Sequence, residues 1–208
     1  MAEEVLEILQ SVGAFRTGHF VLTTGRHSDA YINKDALYPY TKEVSRLCEK
    51  IAEKYAGKGV EAVIGPAYGA IILSTWTAHH LSRLDGKAVL GVYADKSDDG
   101  PIIRRGYDKL IAGKNTIVVE DLTTTGSSLK KVVEAGRAAG ANVIAAVTIC
   151  NRGDVTAEQI GNPPVFDSLV TVHLESWTEA DCELCKAGIP VNTDVGHGKD
   201  FLAKQGMK

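Results

Sequence analysis

Two adjacent carboxylates followed by a hydroxyl-rich turn form the most chemically distinctive stretch of this 208-residue chain. Apolar β-branched residues before the acids predict a buried strand, and the apolar spacing after the turn predicts a helix. Backbone N–H groups at a helix start have no intrahelical partner and attract anions. Two acids would repel a bare phosphate, so the stretch favours a ligand that carries hydroxyl groups or a metal beside its phosphate, such as a sugar phosphate. The residues concerned are Glu120, Asp121, Leu122, Thr123, Thr124, Thr125, Gly126, Ser127 and Ser128.

A simpler alternative is a polar turn that caps the helix after an ordinary α/β strand. Serine and threonine hydroxyl groups commonly satisfy the first N–H groups of a helix in this way. Capping alone does not account for two acids and five hydroxyl groups within nine residues. We therefore favour the sugar-phosphate site.

Composition narrows the classes of protein. With 44% hydrophobic and 24% charged residues the chain is typical of a globular domain, and its net charge of −3 gives no basic surface for nucleic acid or membranes. No apolar run has the length that spans a bilayer, and the acidic amphipathic start does not resemble a signal peptide. We expect a cytoplasmic protein without nucleic-acid or membrane partners.

The elements that must position the site alternate between strands and helices. This alternation predicts an α/β fold with a mostly parallel sheet flanked by helices. We expect an N-terminal helix and hairpin-like hood over residues 1–40, an α/β core over 41–175 and a tail over 176–208. Helices are predicted over residues 3–12, 41–55 (capped by Thr41), 70–84 and 179–186, strands over 60–64, 88–93, 117–119, 142–150 and 169–174, and a loose end after Gly198.

Ligands of parallel sheets bind outside the carboxyl ends of the strands. Four segments of the chain reach such ends in the predicted fold: the two acids, the turn 65–69, the polar loop 95–106 and the pair Asn151-Arg152. The loop carries three cations, Lys96, Arg104 and Arg105. We expect these segments to meet in one crevice.

The stretch Val119–Ser128 resembles the phosphoribosyl-pyrophosphate (PRPP) loop of the type I phosphoribosyltransferases. The resemblance implies that Glu120 and Asp121 hold the ribose hydroxyl groups, that residues 122–128 bind the 5′-phosphate, and that the fold is that of the family. It further implies Mg²⁺ bound through PRPP, and a homodimer in which mobile loop 95–106 reaches the neighbouring subunit. Catalytic roles then fall to Asp121, Glu120, Lys96, Arg104 and Arg105.

Segment 20–33 is similar to the N-terminal hood of the orotate phosphoribosyltransferases. The likeness implies that Tyr31, Ile32 and Thr124 contact the base and that Arg152 pairs with the orotate carboxylate, for which a guanidinium fork is well shaped. Turn 65–69 resembles the pyrophosphate-contacting turn, which implies PRPP contacts by Tyr68 and Gly69. The predicted reaction is transfer of the phosphoribosyl group from PRPP to orotate, giving orotidine 5′-monophosphate and pyrophosphate. Tyr31 and Ile32 as plain core residues of a hairpin, and Arg152 as an exposed strand-end arginine, remain alternatives.

The chain departs from the family pattern at two positions. Thr23 and Gly69 stand where the family commonly has lysines that contact the phosphates of PRPP. Two other functions therefore stay open: a phosphoribosyltransferase for another, purine-type base, and a regulatory protein that binds PRPP without catalysis.

The four cysteines do not indicate a disulfide scaffold in a chain of this length. Cys48 and Cys150 lie on predicted apolar faces. Cys182-x-x-Cys185 is interpreted as two ordinary cysteines, with a metal site or a redox pair as alternatives. The nearest histidines in sequence are His173 and His197, nothing fixes them close by, and we assign no metal ligands.

Overall fold

The computed structural model describes residues 1–204 and 206; positions 205, 207 and 208 of the predicted tail lie outside the described residues. The helices are α1 (Ala2–Ser11), α2 (Thr41–Tyr55), α3 (Gly69–Asp85), α4 (Tyr107–Ile111), α5 (Ser127–Ala138), α6 (Glu183–Lys186) and α7 (Gly198–Lys204). The strands are β1 (Phe15–Val21), β2 (His27–Ile32), β3 (Ala62–Pro66), β4 (Leu90–Ala94), β5 (Asn115–Thr123), β6 (Asn142–Asn151), β7 (Val165–Thr171) and β8 (Ser176–Trp177).

A five-stranded sheet in the order β4-β3-β5-β6-β7 forms the centre of the molecule. All of its strand pairs are parallel, so the carboxyl ends of its strands share one edge. β5 is the middle strand, and its residues 116–121 are buried. The edge next to Glu120 and Asp121 is therefore the place where loops from several strands meet.

Helices cover both faces of this sheet because side chains of a strand alternate between the faces. Ile117 and Val119 of β5 belong to a core cluster with α1, α2 and α3, whereas Val118 belongs to a second cluster with α4 and α5. The apolar face of α2 is buried along its length, since residues at helical spacing from Val44 to Tyr55 are buried. Helices packed on both faces of the sheet thus fix the position of β5 and of the turn that follows it.

A separate antiparallel sheet joins the two ends of the chain. β1 and β2 form a hairpin, and β8 of the tail pairs with β2 through His27–Trp177 and Ser28–Ser176. The tail then returns to β1, where Asn192 N donates to His19 O (2.7 Å) and His197 N donates to Val21 O (2.9 Å). The hood is thus built from N-terminal and C-terminal segments together.

The predicted mostly parallel sheet with flanking helices and the N-terminal hairpin are confirmed. Several boundaries were wrong. Thr41 is the first residue of α2 and makes no side-chain cap, and the predicted strand 169–174 is β7 at 165–171. The predicted tail helix 179–186 is shorter than expected and consists of α6 alone. The segment after Gly198, predicted to be loose, is helical. In the described part of the chain, no helix combines the length and apolarity needed to cross a membrane.

Candidate active site

The turn between β5 and α5 encloses a cavity of about 180 Å³ lined by residues 122–129. Gly126 precedes α5 with φ 78°, a conformation that side chains rarely adopt, and a Cβ there would press against Val155 and Ile160. Glycine is therefore required to bend the backbone around this cavity. Thr124, Thr125, Ser127 and Ser128 are exposed at the turn. The cavity combines exposed hydroxyl groups, two of which (Thr125 and Ser127) contact each other at 3.2 Å, with a helix N-terminus, which suits a phosphate.

Thr123 differs from its neighbours in the predicted phosphate-binding set. It is the last residue of β5 rather than part of the turn, and its side chain is buried. Its hydroxyl group has no hydrogen-bond partner among the described residues. Thr123 still borders the cavity, but Thr124 to Ser128 supply the exposed hydroxyl groups.

The two acids lie at the same strand end and are almost inaccessible, with 6% of Glu120 and 4% of Asp121 exposed. Asp121 Oδ2 accepts from Lys34 Nζ at 3.2 Å and from the Tyr38 hydroxyl group. Asp121 Oδ1 is buried and has no partner within residues 1–204 and 206. This oxygen is covered as well as unpartnered, so a hydroxyl group of a ligand reaches it only after a neighbouring side chain moves.

Burial and neighbouring charges shift the pKa values of Glu120 and Lys34. Burial, followed by the charge of Asp121, raises the pKa of Glu120 well above its ordinary value. Burial opposes the charge of Lys34, but the carboxylate of Asp121 outweighs it and raises the pKa of the ammonium group. The strand end therefore has a carboxylate–ammonium pair beside an acid that ionises reluctantly.

The turn after β3 forms a second wall of the crevice. A Cβ at Gly69 would overlap the ring of Tyr38, so a lysine side chain does not fit at this position. Lys96 Nζ lies 4.4 Å from the centroid of the exposed Tyr68 ring. A cavity of about 260 Å³ borders Pro66, Lys96 and Ser128, so turn 65–69, loop 95–106 and the turn after β5 do meet.

The two arginines of loop 95–106 contact the loop itself. Asp95 Oδ2 lies 2.8 Å from Arg104 Nη2 and 3.1 Å from Arg105 Nη2, and the backbone of Asp95 pairs with Ile102. Both guanidinium groups are exposed. Lys96 is thus the loop cation that this conformation brings to the crevice, and the roles of Arg104 and Arg105 in catalysis stay predictions.

Arg152 is held next to the phosphate turn by its backbone, because its N–H donates to Thr123 O at 2.8 Å. The side chain of Asn151 fixes the following loop by accepting from Val155 N at 3.1 Å. A Cβ at Gly153 would overlap the backbone of Thr124, so the two loops are in close contact. Arg152 and Thr124 are therefore neighbours, as the predicted base site requires.

The hood residues have structural partners of their own. The ring of Tyr31 lies 5.6 Å from that of Phe20, and Ile32 packs against the main core cluster. Both side chains are partly exposed. Their predicted contact with a base stays a prediction.

Lys34 and Tyr38 are site residues that the sequence motifs do not indicate. Neither belongs to a motif, and both lie more than eighty positions from Asp121 along the chain. The lack of lysines at positions 23 and 69 was an indirect signal, since it left the predicted phosphate site in need of a cation from elsewhere. Lys34, on the short 3-10 turn Lys34–Ala36 after β2, is such a cation.

Comparison with known proteins agrees with this geometry. Residues 33–177 match the model of the phosphoribosyl transferase domain. Orotate phosphoribosyltransferase of Caldanaerobacter subterraneus subsp. tengcongensis is 36% identical over 189 residues, covering 91% of this chain and 94% of that protein. The enzyme of that name from Thermotoga petrophila is 34% identical over 194 residues, covering 93% and 98%. The crystal structure of orotate phosphoribosyltransferase from Aeropyrum pernix superimposes with a TM-score of 0.62 at 28% identity, over 81% of this chain and 93% of that one.

Proposed function

Because the chain belongs to the phosphoribosyl transferase domain family, among the orotate phosphoribosyltransferases, we propose that it transfers the phosphoribosyl group of PRPP to orotate. The products are orotidine 5′-monophosphate and pyrophosphate. The observation that carries the proposal is the hydroxyl-lined cavity at the start of α5 with two buried carboxylates at the same strand end. A pentose with a terminal phosphate has complementary groups at both places.

The turn 124–128 binds the 5′-phosphate through its hydroxyl groups and the free N–H groups of α5. Binding at this remote group orients the ribose without involving the bond that breaks. Asp121 Oδ1, which is buried and has no partner in the described part of the chain, accepts a ribose hydroxyl group when neighbouring side chains move to admit the sugar. Glu120 adds a second acceptor beside it and, when ionised, favours the positive charge that develops on the ring.

The base nitrogen attacks the anomeric carbon as pyrophosphate leaves. Arg152, adjacent to Thr124, pairs with the carboxylate of orotate in bidentate geometry and so sets the orientation of the nitrogen. Tyr31 and Ile32 of the hood contact the base from the opposite side. No covalent enzyme intermediate is required, which agrees with a site that has no nucleophile–base pair among the assigned residues.

The leaving pyrophosphate needs positive charge. We assign Lys96 and Lys34 to this task, with Arg104 and Arg105 joining when loop 95–106 releases their contact with Asp95. The two carboxylates of the strand end and the hydroxyl groups of the turn would suit Mg²⁺ held through PRPP and its waters. When bound, Mg²⁺ neutralises the pyrophosphate charge.

The full proposal describes a cytoplasmic homodimer. The polar loop is largely exposed and folds on itself through Asp95, so extension toward the site of a second subunit requires only that these internal contacts break. Sedimentation at several concentrations tests the dimer. Mixing an Asp121→Asn chain with an Arg104→Ala, Arg105→Ala chain tests the exchange of loops, because restored turnover requires a site with one intact contribution from each chain.

The experiment that tests the reaction is pyrophosphate release from PRPP and Mg²⁺ with orotate, uracil, hypoxanthine, guanine, xanthine or adenine. We expect release with orotate alone. Release with a purine would replace the proposed base and leave the PRPP site intact. If no base gives pyrophosphate release while PRPP still protects the protein from thermal unfolding, the chain is a PRPP-binding protein without catalysis.

A further inference from the structure

Four metal-binding side chains meet where the tail packs on the N-terminal hairpin. One ligand atom from each of His19, His27, Cys182 and Cys185 lies within 4.8 Å of the other three. His19 Nε2 is 2.7 Å from His27 Nδ1, and Cys185 Sγ is 3.4 Å from His27 Nδ1 and 3.7 Å from His19 Nε2. Cys182 Sγ is 3.5 Å from His19 Nε2.

We propose that these four residues bind a structural Zn²⁺ ion. Tetrahedral zinc with bonds of about 2.3 Å to sulfur and about 2.0 Å to nitrogen separates neighbouring sulfur and nitrogen ligands by about 3.5 Å. Three of the four sulfur–nitrogen distances agree with that value, and the fourth, between Cys182 and His27, lies within 4.8 Å. The two ring nitrogens need to move apart by about 0.6 Å, a small side-chain rotation.

The hairpin and the tail each present their pair of ligands in the right direction. Val21 pairs with His27 across the hairpin, and His19 lies in the irregular segment of β1 between Thr17 and Phe20, where its ring contacts that of His27. Cys182 caps α6 and its sulfur accepts from Cys185 N at 3.4 Å, which gathers both thiols on one side of the turn. The spacing Cys-x-x-Cys is that of many zinc sites.

A further contact orients His19. Its Nδ1 lies 2.7 Å from the carbonyl oxygen of Ile189, so Nδ1–H donates to that carbonyl and Nε2 keeps its lone pair for the cluster. Such a bond to the second nitrogen is the usual companion of a metal-bound histidine. His27 is held by the ring of Phe201 at 4.8 Å between centroids. The described tail thus contributes positioning groups as well as ligands.

The other interpretations of the cysteine pair leave the histidines without a role. His19, His27 and Cys182 are 1%, 0% and 0% exposed, and zinc would give His27 Nδ1 a partner, while His27 Nε2 has none among the described residues. A disulfide between Cys182 and Cys185 would involve only the tail. Zinc uses all four groups and leaves no open position, so the site is structural rather than catalytic.

The ion would join segments that are about 160 residues apart in sequence. β2 runs from His27 to Ile32 and leads directly into Lys34, which contacts Asp121. A metal at the turn end of this hairpin therefore fixes the tail to the hood, at the opposite end of β2 from Lys34. A cavity of about 650 Å³ reaches His19 and Cys185 and provides an entry path for the ion.

The test measures zinc in the full-length protein by inductively coupled plasma mass spectrometry after dialysis. We expect about one zinc ion per chain in the natural protein, and at least a tenfold loss in Cys182→Ala and in His27→Ala. Cys48→Ala, at a buried cysteine of α2, and His173→Ala, at an exposed histidine, are matched controls that keep the metal. Replacement by Co²⁺ should give the visible absorption of tetrahedral cobalt with thiolate ligands.

A second measurement uses the natural protein, so that poorly folding variants do not decide the outcome. Stripping zinc with a chelator should lower the midpoint of thermal unfolding by about 5–10 °C and expose the tail to protease, and added Zn²⁺ should reverse both effects. The proposal is overturned if the natural protein takes up no more zinc than Cys182→Ala. It is equally overturned if thiol titration finds Cys182 and Cys185 joined in a disulfide in the purified protein.

Discussion

Replacing Glu120 with glutamine should stabilise the ligand-free protein, and more so at high pH. Burial and the charge of Asp121 raise the pKa of Glu120 from 4.5 to about 8. The folded protein thus holds this proton more tightly than the unfolded chain. The stability that the protonated Glu120 contributes is fully present below the pKa of the group in the unfolded chain. It is lost as the pH rises through the pKa of the group in the folded protein. Glutamine has the shape of the protonated acid and never ionises.

The size of the effect follows from the pKa difference. A tenfold change in proton affinity corresponds to about 1.4 kcal/mol, so the full difference sets an upper limit of about 5 kcal/mol at pH 8. Relaxation of the protein around the ionised group lowers this value, and we expect about 2 kcal/mol. At about pH 5 the natural protein and the variant should differ by less than about 0.5 kcal/mol.

The assay is urea unfolding of both proteins at about pH 5 and about pH 8, without PRPP. Glu134→Gln on α5 is the control, because Glu134 is exposed and pairs at the surface with Lys130 at 3.8 Å. It should show no such pH dependence. If the stability difference between Glu120→Gln and the natural protein is the same at both pH values, Glu120 does not titrate abnormally and the proposed electrostatics of the strand end are wrong.

Three further substitutions test the site. Asp121→Asn should lower kcat about 100-fold and alter folding far less, since it removes the partner of Lys34 and the ribose acceptor; unchanged turnover at saturating PRPP would contradict this role. Arg152→Ala should raise KM for orotate about 10- to 100-fold and leave KM for PRPP nearly unchanged; equal effects on both would argue against base recognition. Gly126→Ala should lower the free energy of unfolding, measured by chemical denaturation, by about 2–3 kcal/mol. The control Gly113→Ala should lower it by about 1 kcal/mol, because Gly113 has a similar φ of 73° but open space for a Cβ. Equal losses would show that Val155 and Ile160 do not crowd position 126.

Local patterns determined the central unit of the protein. The apolar run before Glu120, the turn that needs glycine at position 126 and the apolar spacing of α5 lie within about twenty-five consecutive residues. Each depends only on side-chain periodicity or on backbone conformation, which neighbouring residues specify. The parallel sheet follows from the same alternation, and with it the edge where the acids, Lys96 and Arg152 lie.

Tertiary structure alone decided which side chains complete the site. Lys34 and Tyr38 contact Asp121, and the two histidines of the hairpin meet the two cysteines of the tail, across separations of 83 to 166 residues. Such contacts depend on how whole elements pack, and no pattern in the sequence around His19 predicts that it contacts Cys182. Periodicity reports which face of an element is buried, but not what the opposite element brings to that face.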